Sequence, residues 1–429
     1  MTDTGFTIDV DHNEYLSEGD TLVDAIVTVT ATDSGASVAG GDAGGSLAQV
    51  IMVDCSGSMM GSRIADAKRA TAAAIDTLRD GVRFAVVAGS ITAHMVYPAH
   101  ESTAVADDTT RAEAKKAVER LQAGGGTAMG NWLALANRIL RSAPAEVKQG
   151  LLLTDGFNQH EAPEELQAHL DACKGTFVCN ACGIGDDWSA SEVRLIADQL
   201  LGEGYGLPDP KEWADHFSQL TAAAMGKTIG DVTLRIFTPA RNRIRFIKQM
   251  NPTIVDLTER RAELDNKTGD YPTGAWGTEE REYHISVEVP PIAVNDDRLA
   301  ARVSLLAGSH ELARGMITAR WTGDTMLSTK LNPRVAHYTG QAELAEAIQE
   351  GIAAVKSGDT DTATDKLGRA MRMAHESGNE GTVRLLAKVV DVDPATGTAR
   401  MRGGVNNIDL EMADVASVKT VTVRKQGDA

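Results

Sequence analysis

Asp54, Ser56 and Ser58 occupy alternate positions in VDCSGSMMG (53–61), directly after the apolar run QVIMV. A carboxylate and two hydroxyls so placed can cap a helix, form a nucleophile with its helpers, or aim three oxygens at a hard cation. Two more segments bear on the choice: Thr127 follows Gly124, Gly125 and Gly126, and LLLTDG ends a second apolar run on Asp155. If strand ends gather these loops, the donors are two carboxylates and three hydroxyls, all oxygen. That set suits magnesium, or else manganese or calcium; zinc would prefer His or Cys. The alternation lets a loop leaving a strand turn every second side chain towards one ion.

The surrounding pattern supplies such strand ends. From about Ala48 to Gly226, short apolar runs (QVIMVD, VRFAVVAGS, QGLLLTD, GTFVCNACGIG) alternate with helix-period segments. The helices are expected at 62–79, 109–121, 128–142, 163–173, 189–201 and 210–225. Near-continuous apolar strands separated by helices predict a parallel, doubly wound sheet, whose ligands collect at the carboxyl ends of its strands. The flanks differ. FTIDVDHNEY and TLVDAIVTVTATDSG before this region, and DVTLRIFTPA to ELARGMITARWT after it, are β-branched, alternate in polarity and are broken by hairpin-spaced turns. They predict an antiparallel β-sandwich into which the α/β domain is inserted through the linker SGASVAGGDAGGS. After Gly340, apolar positions at helical spacing (Leu344, Ile348, Ile352, Val355) predict a helical hairpin, followed by a strand-like tail, SVKTVTVRK. The expected divisions are 1–45 (sandwich strands), 46–226 (α/β), 227–335 (sandwich) and 336–429 (helical hairpin and tail).

Asp54-x-Ser56-x-Ser58, Thr127 in GGGTAMG and Asp155 in LLTDG, in that order and each at a strand-to-loop junction, together resemble the metal-ion-dependent adhesion site of von Willebrand factor type A (VWA) domains. The resemblance covers roughly Ala48 to Gly226. It implies a Rossmann-like domain that binds a divalent cation and recognises a protein whose Asp or Glu completes the coordination. It further implies that Asp54, Ser56 and Ser58 take the ion, that Thr127 binds it in the ligand-competent state, and that Asp155 acts directly or through water. The sandwich and helical tail also resemble intracellular bacterial VWA proteins of tellurium-resistance and stress systems, though without a sharp motif.

The rest of the composition sets bounds. A net charge of −18 argues against partners that need a basic face, nucleic acid and anionic membranes among them. No apolar run reaches the 18 or so residues that span a bilayer, and the expectation is a cytoplasmic protein. Cys55, Cys173, Cys179 and Cys182 are read as small buried thiols, reduced and metal-free. Asp186 and Asp187 in GIGDDW read as a solvated turn or as an edge of the site. His94, His100 and His160 show no ligand spacing, and the GGGT loop lacks the lysine or GxGxxG of a phosphate cradle. Met59 and Met60 are expected at the loop base or as an apolar rim. The function expected is a non-enzymatic, metal-dependent interaction module or adaptor. A metal-assisted phosphatase or hydrolase is the enzyme alternative, opposed by the lack of a visible Lys or Arg clamp and of a His nearby in sequence. An adaptor for a separate AAA+ ATPase is the third reading.

Overall fold

The computed structural model describes residues 5–13, 15–32, 47–330, 332–393 and 398–420. The glycine-rich linker and the end of the strand-like tail lie outside the described residues. The chain divides into two compact units, Ala36–Asp231 with Gly274–Gly277, and Met1–Gly35 with Val232–Thr273 and Thr278–Ala429. Along the chain the first unit thus interrupts the second.

Three strands come first: β1 (Phe6–His12), β2 (Tyr15–Ser17) and β3 (Leu22–Ala31). The α/β unit follows with β4 (Leu47–Asp54), α1 (Ser62–Thr77), β5 (Arg83–Gly89), β6 (Ala93–Tyr97), β7 (Ala104–Val105), α2 (Asp108–Val118) and α3 (Met129–Ser142). It continues with β8 (Val147–Thr154), α4 (Pro163–Cys173), β9 (Val178–Ile184), α5 (Ala190–Gln199), β10 (Gly204–Leu207) and α6 (Pro210–Met225). The sheet order is β10-β9-β8-β4-β5-β6, with β7 also on β5. Strands β4, β5, β8, β9 and β10 pair in parallel, whereas β6 and β7 run antiparallel to β5.

All eight residues of β4 are buried, because the strand is central and helices cover both faces of the sheet. Ile51 and Val53 join a core with Ala67, Ala70 and Ala74 of α1, Val118 of α2 and Phe217 of α6. On α3, Trp132, Leu133, Ala136, Ile139 and Leu140 repeat at helical spacing and are all buried. The Trp132 ring lies where a Cβ at Gly89 would stand, 2.2 Å from a ring atom, so only glycine permits this helix-to-sheet approach. The chain builds β5 and β6 on one side of β4 and then crosses to β8 on the other. The carboxyl ends of β4 and β8 consequently flank the point where strand order switches, which is where such sheets hold ligands.

The second unit is the sandwich. Its remaining strands are β11 (Ile229–Phe237), β12 (Arg243–Asn251), β13 (Val255–Asp256), β14 (Ala262–Glu263), β15 (Thr268–Trp276), β16 (Glu280–Glu288), β17 (Asp297–Ala307) and β18 (His310–Thr322). One sheet is ordered β1-β3-β16-β12-β13 and the other β14-β15-β11-β17-β18-β2. The amino-terminal β3 lies between β1 and β16, paired from Leu22↔Glu288 to Thr30↔Glu280. Buried Val232, Leu234 and Ile236 alternate along β11, as expected of a sheet with one face in a core.

The carboxy-terminal part is more elaborate than the expected helical hairpin. After α7 (Thr325–Ser328), helices α8 (Pro333–Ser357) and α9 (Thr360–Glu376) do pair through Leu344, Ile348 and Ile352 against Leu367, Ala370 and Met371. Gly378, with φ +68°, then turns the chain, and the Asn379 side chain accepts the Thr382 N–H to start α10 (Glu380–Leu386). A β-hairpin, β19 (Val390–Val392) with β20 (Ala399–Met401), and α11 (Asn407–Ser417) complete the region. Val389, Val390, Leu386, Leu410 and Ala413 close the same apolar core, which explains why the chain continues beyond two helices. In the described part of the tail, Lys419 forms an isolated antiparallel bridge with Thr253.

Candidate metal centre

Asp54 is the last residue of β4, opposite Gly89. It is fully buried rather than facing solvent as a strand end would, because β5 and β8 flank it and the loops after β4 and β8 close over it. Its Oδ1 accepts the Ser56 N–H at 2.7 Å and its Oδ2 accepts the Thr154 hydroxyl at 2.7 Å. Burial pushes its carboxyl up from the ordinary 3.8 to about 6, against the pull of the hydrogen bonds from Ser56 and Thr154; the nearby Asp155 charge adds to the rise.

The donors above it form a chain. Ser56 Oγ and Ser58 Oγ share a hydrogen bond at 2.9 Å, and Ser58 donates to Asp155 Oδ1 at 2.5 Å. Thr127 Oγ1 and Ser58 Oγ lie equally far, 3.5 Å, from where a Cβ on Gly156 would stand. Ser56, Ser58, Thr127 and Asp155 therefore line one open cleft of about 320 Å³, with Gly125, Gly126, Phe157 and His160. Asp54 does not line the cleft itself but sits beneath Ser56. Burial raises the Asp155 carboxyl above the usual range, opposed by hydrogen bonds from Ser58 and Arg63.

Three loops are held in register by backbone contacts. The Gly57 N–H donates to the Gly125 carbonyl at 2.8 Å, and the Gly124 N–H to the Cys55 carbonyl at 2.8 Å. The first N–H groups of α3 reach across to the loop after β8: Met129 N–H to Asn158 Oδ1 and Gly130 N–H to Glu161 Oε2. His160 packs where a Cβ on Gly126 would be, 2.1 Å from it, and its Nδ1 accepts the Thr127 N–H at 3.2 Å. This glycine is thus required by a side chain 34 positions on.

The structure brings together all five predicted donors and adds residues that sequence reasoning missed. Thr154 anchors Asp54; its signal was its place at the end of β8, the strand paired in parallel with β4. Arg63, on the first turn of α1, lies 3.1 Å from Asp155, 2.8 Å from Asp186 and 3.4 Å from Asp187. The sequence showed no evident Lys or Arg clamp, yet Arg63 stands at the site, and His160, which has no ligand spacing, packs against Gly126 beside it. Helix α1 starts within the motif loop, so Arg63 points back over it. Asp186 and Asp187 are exposed, as in a solvated turn, yet paired to Arg63. Met59 is fully buried at the loop base, whereas Met60 is 64% exposed.

The donor set fits a hard divalent cation on its own chemistry. Four oxygen-bearing side chains open into one cleft above a fully buried carboxylate, the hard-donor chemistry such a cation takes. Among the described residues, no three His, Cys, Asp or Glu side chains are grouped so as to hold a metal ion by themselves, so a site here draws on the hydroxyls.

Comparison with known proteins gives the family. The von Willebrand factor type A domain family matches residues 48–205, and the von Willebrand factor type A C-terminal domain matches residues 372–417. A von Willebrand factor type A structure from Catenulispora acidiphila is 47% identical, with a TM-score of 0.92 over 98% of this chain and 97% of that one. The chain belongs to the von Willebrand factor type A family. The ArnB paralog VWA2 of Sulfolobus acidocaldarius shares the fold at 12% identity, with a TM-score of 0.58 over 96% of this chain and 98% of its own. An uncharacterized Synechocystis protein is 30% identical over 213 residues, a match spanning 48% of this chain and about half, 49%, of that protein. VWA domains often mediate metal-dependent protein–protein contacts, and the five donors of this VWA chain all lie within the matched segment 48–205.

Proposed function

We propose that this VWA chain is a divalent-metal-dependent protein-interaction module, an adaptor whose partner presents an Asp or Glu to the cleft, and that it catalyses no reaction. The observation that carries this reading is the convergence of Ser56, Ser58, Thr127 and Asp155 on one open cleft above buried Asp54. Magnesium is the proposed ion, with manganese or calcium as alternatives. When bound, a divalent ion supplies positive potential that an incoming carboxylate can meet. The chain's own residues keep that potential from being cancelled. Three of the five donors are neutral hydroxyls, so the side chains around the ion carry at most two negative charges. The cleft is open to solvent on one side, so a partner side chain can enter. Exposed Met60, and Phe157 at 38% exposure, offer apolar contact near it.

Turnover has little support from the groups at hand. Arg63 is committed to three carboxylates, and the His160 Nδ1 is occupied by the Thr127 N–H. A cytoplasmic setting is supported by four buried cysteines, none of them in a disulfide. Among the described residues, no helix is long and apolar enough to cross a membrane. The test is calorimetric titration of magnesium and manganese into the wild type and Asp54→Ala, followed by capture of partners from the host lysate with magnesium or with chelator. Metal binding and capture lost together in Asp54→Ala support the proposal. Capture that survives chelation, or hydrolysis of a generic phosphoester that vanishes in Asp54→Ala, overturns it.

A further inference from the structure

Arg63 enters the site from the start of α1 and bridges carboxylates in unlike surroundings. Its Nη1 lies 3.1 Å from Asp155 Oδ2 and 3.4 Å from Asp187 Oδ2, and its Nη2 lies 2.8 Å from Asp186 Oδ1. The Asp155 side chain is fully buried, whereas those of Asp186 and Asp187 are about two-thirds exposed, at 66% and 65%. The other Asp155 oxygen takes the Ser58 hydroxyl. The carboxylate that closes the oxygen cluster therefore already carries a cation, supplied by the protein.

We infer that Arg63 is an internal competitor for the divalent ion: it neutralises Asp155 in the metal-free protein and moves onto Asp186 and Asp187 when the ion is bound. The inference rests on the metal-binding reading of the same site. A guanidinium does not lose its proton in a protein, so its repulsion of an arriving cation is relieved only by distance or by other carboxylates. Asp186 and Asp187 provide that relief where it is needed, since both already touch the same planar fork. Turning the fork away from Asp155 gives up one ion pair and keeps two that already exist, so the move needs no remodelling of the buried layer. The two exposed aspartates then set how readily the site loads.

The opposite role is well defined. If Arg63 simply held Asp155 and the 185–187 loop in place for the metal, removing it would weaken metal binding. A competitor predicts the reverse sign. The experiment is calorimetric titration of magnesium or manganese alone into the full chain, with melting curves in chelator to show that each variant folds. Arg63→Gln should bind either ion roughly tenfold more tightly, the scale of one nearby charge at a partly exposed site. Arg63→Met, with a comparable stem and no charge, should do the same, and Arg63→Lys should stay within about threefold of wild type. Asp186→Asn with Asp187→Asn should weaken metal binding in the wild-type background by more than in the Arg63→Gln background, the difference measuring their hold on Arg63. Unchanged or weaker affinity in both Arg63→Gln and Arg63→Met, with the wild type binding metal, overturns the inference and leaves the metal site standing. A wild type that binds neither ion overturns both.

Discussion

Replacing Asp54 with Asn should stabilise the metal-free protein while abolishing its response to metal. The carboxyl of Asp54 is fully buried and titrates near 6 instead of 3.8. Each pH unit between those values corresponds to about 1.36 kcal/mol, so the ionised group costs the folded state about 3 kcal/mol at neutral pH. The sign follows from the direction of the rise. Below about pH 3.8 the carboxyl is protonated whether the chain is folded or not, and the cost is absent; it grows as pH climbs and is complete above about 6. Asn fits the hydrogen bonds: its carbonyl can accept the Ser56 N–H, and its amide can donate to Thr154 Oγ1, which sits 3.3 Å from the Gly156 carbonyl and can donate there instead. For a unit of this size, about 3 kcal/mol raises the melting temperature by about 6 °C or more. Differential scanning calorimetry in chelator should show Asp54→Asn melting above wild type at pH 7.5, with the gap closing towards pH 4. Added magnesium should raise only the wild type. An Asp54→Asn transition at or below wild type at pH 7.5, or a gap that ignores pH, would refute the reasoning.

Thr154→Val removes the hydroxyl donated to Asp54 and leaves a buried carboxylate oxygen without that partner, so stability should fall by about 1–3 kcal/mol, more at pH 7.5 than near pH 4, as denaturant titration at the two pH values would show. Thr127→Ala should cost little metal affinity, about threefold or less by calorimetry, because Ser56, Ser58 and the two aspartates remain, while partner capture falls further. Deleting residues 1–45 removes β1, β2 and β3 and strips β16 of the strand paired along one edge, and limited proteolysis should then cut the region after Gly226, which is expected to resist in the full chain.

What could be read in advance were features with a local signature. The fully buried runs that became β4 and β8 each end on a carboxylate, and alternation with amphipathic segments placed the six helices of the α/β unit within three residues of where they lie. Strand β6 was missed because Ala93–Tyr97 is a half-exposed antiparallel edge with no buried run to announce it. The β19–β20 hairpin was missed because three-residue strands carry too little pattern. At the site, Asp54, Ser56, Ser58 and Asp155 were legible since they stand at or just after the ends of apolar strand runs, and Thr127 since it follows three glycines ahead of α3. Arg63 and Thr154 were not, because their partners lie 92 and 100 positions away and meet them only through the parallel register of the sheet and the start of α1. The depth of Asp54 was likewise hidden. A strand end reads as exposed until the strands on both sides, and the loops that close over it, are known.

The most direct test of the central claim is a crystal of the wild-type chain soaked in manganese, with anomalous diffraction locating the ion. The account predicts one strong peak in the cleft, coordinated by the Ser56 and Ser58 hydroxyls with Asp54, Asp155 or Thr127 completing the shell directly or through water, and lost in Asp54→Ala. At saturating manganese, a cleft without a peak, or a peak held by other residues and unaffected by Asp54→Ala, would contradict it.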